Sequence, residues 1–71
     1  MIAIEETDRK ILVDTYNQID SLENSITALQ GQLDECKVPI FARQLREEIS
    51  KRQQRLRRLN RQAAAILTML P

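Results

Sequence analysis

The chain has 71 residues, of which 42% are hydrophobic, 30% charged and 3% aromatic, and its formal net charge is +1. One glycine and two prolines are too few for a turn-rich β-sandwich or barrel, and one cysteine without any histidine makes neither an internal disulfide nor the usual four-ligand zinc site. The lack of histidine also removes the commonest proton-shuttling base, so the expectation is one all-α domain over residues 1–71 that is not an enzyme and holds no metal or cofactor.

Met1–Ile4 is apolar but short, and Glu5-Glu6 follows at once, so the start does not read as a signal peptide. The longest apolar run, Ala63 to Leu67, is far below the ~18–20 residues needed to cross a bilayer. A cytoplasmic, reducing location is expected.

The first predicted element is a helix over about residues 5–36. Leu12, Thr15, Ile19, Leu22, Ile26, Leu29, Leu33 and Cys36 advance by steps of three and four, which puts them on one stripe. Gly31 falls on the opposite face, where it is either a tolerated surface glycine or the point at which the helix stops a turn or two early. Lys37-Val38-Pro39 is the predicted turn, because proline pushes Val38 towards extended backbone and is itself at ease in the first turn of a following helix.

The second predicted helix covers about residues 40–69. Its stripe is Ala42, Leu45, Ile49, Arg52, Leu56, Leu59, Ala63, Ile66 and Leu70, with Arg52 its one charged member. Two helices of equal length on a short connection form an antiparallel, coiled-coil-like hairpin. The stripes pair in one register: Cys36 faces Ala42, Leu33 faces Leu45, Leu29 faces Ile49, Leu22 faces Leu56, Ile19 faces Leu59, Thr15 faces Ala63 and Leu12 faces Ile66. Only Ile26 meets a charge, at Arg52. Glu5–Arg9, Glu6–Lys10, Glu47–Lys51 and Glu48–Arg52 are spaced for ion pairs one turn apart.

A hairpin this small rarely draws more than ~3–5 kcal/mol from its own core. Ile2, Ile4, Ile11, Tyr16, Phe41, Leu67 and Met69 lie off the stripes, most of them near the open end where the termini meet. That end therefore carries more apolar surface than one partner helix covers, and Ile4, Ile11, Ile66, Leu67, Met69 and Leu70 are the candidate binding residues. Either a protein partner or self-association into a four-helix bundle would cover them.

Charge is divided unevenly. Residues 1–39 carry three basic side chains against eight acidic ones, and residues 40–71 carry eight basic against two acidic. Either the two halves lie against each other, or one of them meets an anionic partner. Arg43, Lys51, Arg57, Arg58 and Arg61 point outward in the register above, which makes a homodimeric regulator binding nucleic acid through the second helix the alternative function. Glutamine and glutamate interleave with these cations, as on an ordinary solvated face, and no aromatic sits among them to stack on bases.

Ser21, Ser25 and Ser50 have no paired base, and Cys36 occupies a stripe position suited to a small core residue. Asp8-Arg9-Lys10-Ile11-Leu12 resembles the opening helix of the all-helical chorismate mutases, but that family needs a third helix and a pocket of spaced cations. Cys36-Lys37-Val38-Pro39-Ile40-Phe41 and Ala63-Ala64-Ala65-Ile66-Leu67-Thr68-Met69-Leu70 resemble the turn and the closing helix of the small hairpin co-chaperones of type III secretion needle subunits. The likeness covers roughly residues 12–70 as pattern rather than identity. It implies a non-enzymatic bacterial cytoplasmic subunit that stabilises a larger helical-repeat chaperone, the two together keeping a needle subunit monomeric. The arginine-rich second helix departs from that pattern, so no contact residue is carried over.

Overall fold

The computed structural model describes residues 6–69, with side chains from Asp8 to Met69. Two helices account for nearly all of it: α1, Glu6–Glu35, and α2, Pro39–Met69. They pack as an antiparallel hairpin, as the paired stripes require. The link falls one residue earlier than the predicted turn, because Cys36 drops out of α1 and Pro39 joins α2.

Local chemistry explains both ends of the link. Val38 supplies its carbonyl to the Ala42 N–H at 3.0 Å, and so acts as the cap of α2. Pro39 then occupies the first helical position, where a missing N–H leaves nothing unsatisfied. On the other side the Cys36 N–H reaches back to the Leu33 carbonyl at 3.1 Å, a tighter three-residue closure that ends α1. The Cys36 thiol also points to the Val38 carbonyl at 3.4 Å. Neither terminal turn at this end carries the charge that complements its dipole, since α1 finishes on Asp34-Glu35 and the first turn of α2 has no acid. Proline geometry and seam packing therefore shape the turn. Gly31 does not break α1, and a Cβ built on it meets nothing within 4 Å.

Burial follows the stripes residue by residue. Thr15, Ile19, Ile26, Ala42, Ile49, Leu59 and Ala63 are buried, and the other described stripe members are half-buried. Among the described side chains, Ser25 is the one residue off the stripes that is not exposed. Ile19, Leu59 and Ala63 form the central cluster, with Leu12, Leu22 and Leu56 packed against it. A seam that repeats every seven residues and is two positions wide is the pattern of a two-stranded coiled coil.

Two polar side chains interrupt the seam, and each is satisfied. Thr15 is the most buried side chain, at 1% exposure. Its hydroxyl donates to the Ile11 carbonyl at 2.8 Å and accepts from Gln62 Nε2 at 3.1 Å. Ala63 opposite it is small enough to let the helices close there. Arg52 faces Ile26, as expected, but lies along the side of the layer: it donates to Ser25 Oγ and pairs with Glu48 at 3.8 Å. That hydrogen bond draws Ser25 partly under cover.

The molecule is a rod, with principal extents of 60 × 14 × 13 Å and a radius of gyration of 16.5 Å. A compact domain of this length would have a radius of about 11 Å. The exposed surface is 5878 Å², against about 4,600 Å² for a compact monomer of this mass. Interior is scarce in this shape, so apolar groups off the seam remain on the surface. No described helix is long and apolar enough to cross a membrane.

Candidate interaction surfaces

At the open end, helical spacing brings apolar residues to both flanks of the seam. Ile11 of α1 and Met69 of α2 lie on one flank, and Tyr16 and Leu67 lie on the other. All four are exposed, as is Val13 beside Tyr16, and Met69 stands 83% open to solvent. Ile66 differs: it is half-buried in the seam opposite Leu12, so most of its surface already serves the hairpin. Of the six expected contact residues, Ile11, Leu67 and Met69 are thus presented to solvent, while Ile4 and Leu70 lie outside the described residues. Val13 was missing from that expected set, although its place one helical step from Tyr16 is readable from spacing.

A second apolar patch sits at the turn. Val38, Ile40 and Phe41 are exposed, with Ile40 at 63%. The unbroken apolar run Val38-Pro39-Ile40-Phe41 was the signal for it. Side chains in a link and a first helical turn have no facing helix to cover them.

Between the two ends both flanks of the seam are polar. One flank forms an open groove of about 620 Å³, with Asn17, Gln18, Ser21, Leu22 and Ser25 along α1 and Glu48, Lys51, Arg52 and Arg55 along α2. The α1 wall thus offers amides and hydroxyls, and the α2 wall offers cations. The residues expected to point outward do so: Arg43, Lys51, Arg57, Arg58 and Arg61 are all exposed.

No ion pair among the described residues joins the two halves across the seam. Among the described residues the ion pairs are Arg43–Glu47 at 3.7 Å and Glu48–Arg52 at 3.8 Å, both within α2. The Glu48–Arg52 pair forms as its spacing predicts. Glu47 does not pair with Lys51 but turns back one helical turn to Arg43, a cation equally near along the helix. Glu5–Arg9 and Glu6–Lys10 fall outside the described side chains. No protein-family model, curated protein or solved structure matches this chain.

Proposed function

We propose that this hairpin is a non-enzymatic protein-binding subunit that docks its open end onto a larger helical protein. Its specific role in this reading is that of a cytoplasmic co-chaperone, stabilising a helical-repeat chaperone that keeps a type III secretion needle subunit from polymerising. One observation carries the docking part: Ile11, Tyr16, Leu67 and Met69 stand exposed on both flanks of the seam at the open end, whereas the stretch between the two ends has polar flanks. Exposed apolar clusters rimmed by polar surface mark interaction sites. The secretion role rests on the resemblance at residues 36–41 and 63–70.

Helical chemistry suits the partner, because an added helix packs along one flank of the seam as the third helix of a bundle does, and a helical-repeat partner has further helices for the other flank. Self-association along the full length is less suited. A four-helix bundle needs an apolar stripe three positions wide on each helix, and in the middle of this hairpin the third position holds Gln18, Ser25, Glu48 or Arg55. Docking would also stabilise a marginal fold, so folding and association are coupled.

The test is co-purification from the native cell after nuclease treatment and a wash at about 0.5 M salt, which apolar burial survives and screened charge pairing does not. The intact chain should recover a helical-repeat protein together with a small secreted subunit. The double variant Leu67→Asp/Met69→Asp should recover neither while keeping its helical circular dichroism. Equal recovery by the variant removes the open end as the docking site; recovery of other partners removes the secretion role.

A further inference from the structure

We infer that α2 between Lys51 and Arg61 binds the phosphodiester backbone of a nucleic acid. The inference does not depend on the open end, which lies on a different part of the rod. Lys51, Arg55, Arg57, Arg58 and Arg61 are all exposed, and none of them belongs to an ion pair among the described residues. The last acidic residue of the chain is Glu48, so α2 carries no carboxylate beyond it, and its two acids, Glu47 and Glu48, are paired to Arg43 and Arg52. They fall within about 15 Å of helix.

The groove adds a second, independent feature. Lys51 and Arg55 form one side of it, opposite the neutral hydrogen-bonding groups of Asn17, Gln18 and Ser21. The one acid in the groove, Glu48, is already engaged by Arg52 at 3.8 Å. The cleft is therefore cationic on one wall and rich in amide and hydroxyl donors on the other, which is the donor set that phosphate oxygens accept from.

Residue choice separates this ligand from other anions. Helix α2 carries seven arginines and one lysine. A merely solvated face has no need of that bias, whereas the planar guanidinium binds phosphate through two parallel hydrogen bonds. Apart from the seam residues Leu56 and Leu59, no apolar side chain occurs between Ser50 and Gln62. A protein interface of this size carries an apolar core, and a membrane-surface helix carries an apolar face to insert. This stretch has neither. It also lacks aromatic rings, so bases are not stacked and recognition is of the backbone, indifferent to sequence.

The experiment is fluorescence anisotropy of the whole chain against a labelled single-stranded RNA of about 20 nucleotides and a DNA duplex of about 20 base pairs, at several salt concentrations. Binding of either form supports the inference, and the tighter of the two identifies the preferred strand state. With four or five phosphate contacts, the slope of log affinity against log salt should lie between about −3 and about −4.5. The triple variant Lys51→Gln/Arg55→Gln/Arg58→Gln should weaken binding at least about tenfold and flatten that slope, whereas Arg43→Gln, which removes a cation paired to Glu47, should change affinity less than about twofold. Amide chemical-shift changes in the intact chain should centre on residues 51–61, which keeps the test decisive if the triple variant misfolds. No binding at about 50 mM salt would overturn the inference. So would equal competition by polyglutamate or by anionic lipid vesicles at matched charge, or shift changes centred on the open end.

Discussion

The middle of the hairpin and its open end are built on the same seven-residue repeat, yet they differ in what flanks it. In the middle, the positions beside the seam are Gln18, Ser25, Glu48 and Arg55 on one side and Glu23, Gln53 and Asn60 on the other. At the open end the corresponding positions, one or more heptads along, are Ile11 and Met69 on one side and Tyr16 and Leu67 on the other. Two helices need only the seam to recognise each other. Apolar flanks add nothing to a two-stranded contact, so their presence on both sides of the open end separates surface that serves folding from surface available to a third element.

Substitutions divide along the same line. The largest effect on the fold belongs to the middle. Ile19→Asp places an unpaired charge in the central cluster with Leu59 and Ala63, at a cost of about 3 kcal/mol or more. That matches the whole stability a hairpin of this size commands, so far-UV circular dichroism should show most of the helix lost at 25 °C.

Arg52→Leu tests the same region from the other direction. It replaces a partly covered cation opposite Ile26 by a side chain that completes the layer, and Ser25 and Glu48, which it leaves behind, both reach solvent. Stability should rise by about 1 kcal/mol, read as a higher urea midpoint with unchanged slope. A lower midpoint would mean that the Arg52–Ser25 and Arg52–Glu48 contacts contribute more than the layer gains.

Gly31→Ala concerns neither flank nor seam. The added methyl meets open space, so the change is one of helix propensity alone, about 0.5–1 kcal/mol in favour of alanine. The thermal midpoint should rise by about 4 °C. The smallest effect on the fold is expected at the open end: Leu67→Asp should shift stability by no more than about 0.5 kcal/mol, because Leu67 is exposed and packs no layer. A large loss there would show that the open-end flanks support the hairpin itself, and the contrast between the two regions would fail.

Much of this architecture is legible without coordinates. Pro39 marks the turn, because it acts on its own φ and on its immediate neighbours, and such local constraints do not depend on the rest of the fold. The stripes and their register follow from a repeat that one antiparallel alignment on a short turn satisfies over six apolar layers, the Thr15–Ala63 layer and the Ile26–Arg52 layer. The candidate site is legible in part. Ile11, Leu67 and Met69 are exposed as spacing predicts, while Ile66, assigned from spacing both to the seam and to the contact set, is taken up by the seam, and the exposed trio Val38, Ile40 and Phe41 emerges at the tip. A stripe position that also borders an apolar cluster can be assigned to either in one dimension.

Helix, turn, seam and register were present in the order of the residues, because hydrophobic periodicity and proline stereochemistry act over a few positions and leave little choice. The polar partnerships were not. Glu47 chose Arg43 over Lys51, Gln62 crossed the seam to the Thr15 hydroxyl, Arg52 leaned onto Ser25, and the opposite charges of the two helices stayed apart among the described residues. Long polar side chains have several partners of nearly equal energy within reach, and which one they take depends on where the packed helices place the backbone.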